Sequence, residues 1–209
     1  FVQFDSTIDV TYYFLNLRLT ANPNYLYGSV NVKGKFNTPG NRMFLNFKNI
    51  LSVDSVNGYG VSGFAHSNDL LSILFSGNEN EFDITVHYKG LPSGSGFGSF
   101  VFSSQNSVPI IWSLSEPYGA SDWFPNKNTP SDKADSSQVW ITCPSNLVGV
   151  SNGLLYETLN NPNNTKTYKW KSKYPISSYL ISIAVTNYAQ YNNYFKYSST
   201  DSMVVNHYV

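Results

Sequence analysis

Cysteine is all but missing: Cys143 stands alone in 209 residues. A single thiol excludes an internal disulfide and any cysteine-based zinc cluster. It lies in Val139-Trp140-Ile141-Thr142-Cys143-Pro144, an apolar run where a cysteine reads as strand packing rather than as a nucleophile. Charge is equally scarce. Charged residues are 12% of the chain, 13 of each sign, for a net charge of zero. Nucleic-acid binders usually carry a basic surplus, so no nucleic-acid partner is expected. No apolar run is long enough to span a bilayer, and no signal peptide is recognisable. The chain opens on Phe1-Val2-Gln3-Phe4, as a processed or trimmed chain would. No window of helix length carries an apolar 3.6-residue period. Catalytic motifs are absent too: there is no His-Glu-x-x-His, no Gly-x-Ser-x-Gly and no P-loop. His66, His87 and His207 stand far apart, so no metal ligand set and no catalytic residue is assigned.

What the chain has is aromatic residues, at 16% with 16 Tyr and 14 Phe, alongside abundant Asn and Ser. That mixture suits strands joined by turns. Asp9 to Thr20 alternates with period two, Val10, Tyr12 and Phe14 on one face and Tyr13, Leu15, Leu17 and Leu19 on the other. Asn22-Pro23-Asn24 turns the chain into a second strand, Tyr25 to Phe36, and Thr38-Pro39-Gly40-Asn41 predicts another turn. Asn57-Gly58 predicts a tight turn, and His66-Ser67-Asn68-Asp69 one more. Glu81 to Tyr88 places Phe82, Ile84, Val86 and Tyr88 on one face. Leu91 to Gly98 is rich in glycine, but a strand follows where a phosphate loop needs a helix, so it reads as a hairpin connection. In Thr167 to Tyr174, Lys169, Lys171 and Lys173 form a solvated face opposite Tyr168, Trp170 and Tyr174. Tyr179 to Val185 predicts a central strand, and Tyr194 to Tyr197 with Met203 to Val209 a closing pair. The expected fold is all-β: residues 1–209 as a single-domain antiparallel β-sandwich.

One stretch departs from this alternation, Trp112 to Pro130. It combines Glu116, Pro117, Tyr118 and Gly119 with Trp123, Phe124 and two further prolines. An irregular loop on a rigid scaffold is a common binding site. Glu116 is expected among apolar rings, where desolvation makes a carboxylate costly unless a cation meets it. Pairing Glu116 with Asp132 or Asp135 for glycoside hydrolysis carries little weight, because acids in polar loops are usually just solvated. The aromatic, low-charge composition also suits a carbohydrate-binding β-sandwich using Trp112, Tyr118 and Trp123 as stacking platforms.

Four segments in order resemble a known family. Asp9-Val10-Thr11-Tyr12-Tyr13-Phe14-Leu15-Asn16-Leu17 is similar to an opening Asp-x-x-x-Tyr-x-Leu-x-Leu strand. Glu116 to Pro125 has the spacing of a Thr-Gln-x-(Glu/Gln)…Pro-Cys-x-Asp segment. Val150-Ser151-Asn152-Gly153 and Tyr174-Pro175-Ile176-Ser177-Ser178-Tyr179-Leu180 match a Ser-Asn bend and a Pro-Met-Ser-x-Tyr-Leu run. Together they resemble the saddle-like N-terminal β domain of zinc aminopeptidases related to aminopeptidase N and leukotriene hydrolase. The resemblance implies that Glu116, with Tyr118 beside it, binds substrate, the carboxylate meeting the free α-amine of a peptide. The family's preceding Gln falls on Leu114, its Arg positions on Ser121 and Asp122, and its later Cys and Asp on Asn126 and Asn128. The Glu-Pro-Tyr-Gly-Ala-x-Asp-Trp form of the loop is similar to one bacterial branch. The resemblance further implies a downstream thermolysin-like catalytic domain holding zinc, whose motifs are not in these residues. Hydrolysis needs that zinc-bound water and a base, so these residues alone are expected to be inactive. A secreted or periplasmic setting is expected.

Overall fold

The computed structural model describes residues 4–94 and 98–209. The larger sheet has eight strands. Its long members are β1 (Ile8–Ala21), β2 (Asn24–Asn46) and β5 (Leu70–Gly90), with β3 (Ser52–Gly58) and β4 (Val61–Ser67) at one side. β6 (Ser99–Gln105), β7 (Val108–Leu114) and β8 (Lys133–Ala134) follow, then β9 (Ser136–Pro144), β10 (Val148–Ser151), β11 (Leu154–Asn161) and β12 (Thr165–Ser172). β13 (Ile176–Ser177), β14 (Ile183–Thr186), β15 (Gln190–Lys196) and β16 (Ser202–Tyr208) complete the chain. The large sheet runs β11-β12-β9-β1-β2-β5-β3 with β4 also on β5, and a four-stranded sheet runs β10-β14-β7-β6. The helical pieces among the described residues are two 3₁₀ turns, Gly119–Asp122 and Ser178–Leu180.

The all-β expectation holds, with local differences that have physical causes. The β1–β9 pair is parallel, so the sheet is not purely antiparallel. A bulge in β1 between Val10 and Tyr12 puts Val10 on the buried face with Tyr13, Leu15, Leu17 and Leu19, because one extra residue flips the alternation. Thr38-Pro39-Gly40-Asn41 is not a turn. β2 runs through it, and its pairing with β5 shifts between Lys35 and Gly40 and again before Arg42. Proline is tolerated where the ladder is interrupted, since no N–H is required of it there. The turn expected at Asn57-Gly58 falls at Tyr59-Gly60, where Gly60 has φ 73°. The central strand expected over 179–185 is the short β14, preceded by a 3₁₀ turn. Tyr174 lies beyond β12 and is exposed, whereas Tyr168 and Trp170 are buried. The Leu91–Gly98 connection falls in part outside the described residues.

The small sheet leans on β9 and β12. Gly149 in β10 comes so close to Ile141 that an added Cβ would lie 2.9 Å from its Cγ2. The Trp170 indole donates to the Gly149 carbonyl at 2.9 Å, and the Tyr168 hydroxyl to that of Leu147 at 3.0 Å. Buried residues of both sheets form one hydrophobic cluster. Cys143 belongs to it, fully buried, and burial pushes its thiol from 9.0 up to about 12. Burial, aided by Tyr156, also raises Tyr12 from 10.0 to about 12, and burial drives Tyr13 and Tyr88 higher still.

These shifts share one sign. The native state keeps protons that the unfolded chain releases, so their contribution is intact below pH 9 and is lost as pH rises toward 12. The unfolding free energy from urea titrations is expected to stay level between neutral pH and about pH 8.5, then fall, by at most about 1.4 kcal/mol per pH unit for each group. A thiol reagent at neutral pH is expected to label Cys143 only after denaturant is added. Rapid native labelling would show that the thiol is accessible.

Candidate functional site

The Trp112–Pro130 loop is built from inside out. β7 ends at Leu114, and Ser115 then turns inward, its hydroxyl accepting the Trp123 indole N–H at 2.9 Å in the buried interior. Gly119 N–H closes on the Ser115 carbonyl at 2.8 Å, and the chain makes its 3₁₀ turn over Gly119–Asp122. Gly119 fits because a Cβ there would lie 2.6 Å from Ser99 Cβ. Trp123 and Phe124 fold back with no exposed surface. Trp123 packs on Phe100 and Phe124, and Phe124 packs edge-on against Tyr13. Apolar rings leave water where they can, and here they take the loop's middle with them.

The second leg is tied by polar groups. Asn126 and Asn46 exchange backbone hydrogen bonds at 2.8 and 3.1 Å, pinning the loop to the end of β2. The Asn128 side-chain amide donates to the Tyr118 carbonyl at 2.6 Å and to the Ser121 hydroxyl at 3.0 Å. Asp122 is buried and accepts the Ser99 hydroxyl at 2.6 Å. Lys127 donates its backbone N–H to the Tyr13 hydroxyl at 3.0 Å. Its ammonium meets the Ile8 carbonyl at 2.6 Å and the Asp132 carboxylate at 2.5 Å. Both members of that ion pair have side chains less than a tenth exposed, 9% and 8%.

The outcome is a rigid loop with a thin exposed rim. Leu114, Glu116, Pro117 and Tyr118 face solvent while residues 119–129 are largely interior. Glu116 and Tyr118 are both exposed on this rim. The expected setting of Glu116 does not hold, because Trp123 and Phe124 turn into the core while Glu116 stays exposed beside the exposed Tyr118. The Glu116–Pro117 peptide bond is cis. Among the described residues, no hydrogen bond or ion pair engages the Glu116 carboxylate.

Other candidates disperse. Trp123 is wholly buried, so Trp112, Tyr118 and Trp123 cannot form one stacking platform, and the carbohydrate reading loses its basis. Trp112 lines a separate shallow cleft of about 240 Å³ with Ser113, Asn152 and Ser182. Asp132 is committed to Lys127, which removes it from any carboxylate pair with Glu116. The Lys127–Asp132 pair itself was invisible in the sequence beyond an acid five residues after a lysine in a charge-poor loop.

The zinc implied by the family resemblance does not fit these side chains. His66 contacts the Phe47 carbonyl through Nε2 at 2.8 Å and stacks on the Phe47 ring. His207 stacks on Tyr191 in the last hairpin, and His87 is exposed on β5. Among the described residues no group of three or more His, Cys, Asp or Glu is placed to hold a metal ion.

The fold and loop thus define a class: an all-β domain that presents one acid, Glu116, on the rim of an otherwise buried loop. The Peptidase M1 N-terminal domain family matches residues 10–180. The chain belongs to that family, as an M1 peptidase N-terminal domain. Among solved structures it is similar to an M1 zinc metallopeptidase from Deinococcus radiodurans, with a TM-score of 0.83 and 21% identity, covering 97% of this chain and 47% of the other. A mutant of that metallopeptidase bound to a Tyr-Ser-Ala substrate gives 0.83 and 20%, covering 97% and 48%. A two-domain M1 zinc metallopeptidase mutant bound to L-arginine gives 0.84 and 20%, with the same coverage. The chain spans about half the length of these structures. No curated protein matches it.

Proposed function

We propose that this chain is the substrate-facing N-terminal domain of a zinc aminopeptidase, working with a thermolysin-like catalytic domain that holds the zinc. Glu116 is the amine anchor in this reading and Tyr118 its neighbour on the substrate wall. The supporting observation is the Glu116 rim itself: a solvent-facing carboxylate with no internal partner among the described residues, on a loop that buried Ser115, Trp123 and Asn128 hold still. A fixed, uncommitted anion suits an incoming ammonium, because the pairing costs little reorganisation. It also rejects peptides whose amine is blocked. The similar structures are described as metallopeptidases carrying a peptide or amino acid, which supports a peptide substrate. Zinc would supply the activated water, and nothing in these residues replaces it. A secreted or periplasmic setting is part of the proposal, and fractionation of the native host tests it.

In the complete protein, Glu116→Ala is expected to lower kcat/KM for free-amine peptides by about 10- to 100-fold, the worth of a charge-assisted hydrogen bond. Glu116→Gln should fall between. Stability should change by no more than about 0.5 kcal/mol, since the side chain is exposed. If the preference for free over acetylated amines is unchanged in Glu116→Ala, the anchor role is wrong.

A further inference from the structure

Leu114 closes β7 with a side chain 45% exposed. Buried Ser115 follows it, and then exposed Glu116, so the strand's alternation carries past its end and puts Leu114 and Glu116 on one side. Residues two apart on a strand stand about 7 Å from each other. Trp112 is the next one back on that side. It lies opposite Val101 on β6 and Ala184 on β14, and Ala184 lies opposite Val150 on β10. Directly opposed residues share a face, so these four cross the small sheet in one row, all partly exposed. The other face sends Ile111 and Val185 into the core. The ladder between β14 and β7 ends at Trp112, which leaves Leu114 without a paired strand on that flank among the described residues.

None of the four strands of this sheet contains a charged residue. Glu116 thus stands at the edge of an uncharged, apolar surface. A peptide held there by its ammonium carries its first side chain on the carbon next to that nitrogen, and Leu114 is the apolar group one step from the anchor. A Lys, Arg, Asp or Glu side chain laid against Leu114 gives up water and meets no counter-charge. An aliphatic or aromatic one removes apolar surface from water on both partners. Taking the function proposed above as given, we propose that Leu114 is a specificity-determining residue. It receives the side chain of the substrate's first residue and selects peptides that begin with an aliphatic or aromatic residue.

Two features place the selection at Leu114 rather than in the neighbouring cleft beside Trp112. The polar groups of that cleft are already held within the fold. Asn152 accepts the Ser182 N–H at 2.7 Å, and the Ser113 hydroxyl accepts the Ile183 N–H at 3.0 Å. Trp112 is also two alternations from Glu116, about 14 Å along the chain, which is farther than one side chain extends from an anchored amine.

The test is kcat/KM of the complete protein for peptide amides that differ only in their first residue, Leu, Phe, Lys or Glu. Leu and Phe are expected to exceed Lys and Glu by about tenfold or more, the low end of what a small apolar contact discriminates. Leu114→Gln should bring that ratio close to one, and Leu114→Met should keep it. Both variants should fold, because the side chain is half exposed. Equal or better turnover of the Lys or Glu peptides by the wild type overturns the proposal, as does an unchanged ratio in Leu114→Gln. Free and acetylated amines, compared in Glu116→Ala, separate this role from the anchor. A ratio lost in Leu114→Gln with amine discrimination intact in Glu116→Ala sinks the anchor and leaves Leu114. Amine discrimination lost in Glu116→Ala with the ratio unchanged in Leu114→Gln sinks Leu114 alone. A complete protein that hydrolyses none of the four peptides overturns the proposed function and the specificity with it.

Discussion

Asp132→Ala is expected to destabilise the protein by about 3–5 kcal/mol, the usual cost of stripping one partner from a buried ion pair. The Lys127 ammonium would be left with the Ile8 carbonyl at 2.6 Å and the Phe4 ring at 5.9 Å, neither of which neutralises it. Taking an ammonium out of water is costly unless a counter-charge meets it. The effect concerns more than local charge, because Lys127 links the loop's second leg to the start of β1 and to Tyr13. Replacing both members, Lys127→Met with Asp132→Leu, should recover most of the loss, since apolar isosteres of a buried pair are often neutral or better. Denaturant unfolding at neutral pH measures both. A cost below about 1 kcal/mol for Asp132→Ala would show that the pair is hydrated like an ordinary surface bridge.

Trp123→Ala is the second large effect. The side chain is fully buried, contacts Phe100 and Phe124, and donates to Ser115. Truncating a buried Trp costs about 3–5 kcal/mol through lost burial and the cavity left behind. For a domain of this size that lowers the melting temperature by about 10 °C. Trp123→Phe should cost less, since ring contacts persist and the main loss is one buried hydrogen bond of about 1 kcal/mol. The same pair of variants probes the rim. In the complete protein, Trp123→Ala should lower kcat/KM by loosening the loop that carries Glu116, while Trp123→Phe should largely keep it. A melting temperature unaffected by Trp123→Ala would falsify the view that this indole is the loop's keystone.

Much of the scaffold was legible because strands write their burial into a period of two. Phe82, Ile84, Val86 and Tyr88 were placed on one face by alternation alone, and all four are buried. Local chemistry also sufficed at Asn68-Asp69, where both residues adopt positive φ, 54° and 60°, as Asn and Asp readily do in tight turns. It failed where a long-range partner overrode the local signal. Pro39-Gly40 looks like a turn in isolation, yet β5 is long enough to pair across it and absorbs it as an irregularity. The bulge at Val10–Tyr12 likewise becomes visible only in the pairing of β1 with β2.

The loop around Glu116 divides along the same line. By itself the sequence determined that these residues form an irregular, aromatic, proline-bound segment after a strand, that Glu116 is its conspicuous acid, and that the chain resembles the M1 aminopeptidases. Only the tertiary structure decided which groups face inward. Trp123, Phe124, Asp122 and the Lys127–Asp132 pair went to the interior, and Glu116 with Tyr118 stayed on the rim. The reason is that a loop has no intrinsic period to assign its faces. Inside and outside are set by what lies beneath: here Phe100, Tyr13 and the end of β2, which come from distant parts of the chain.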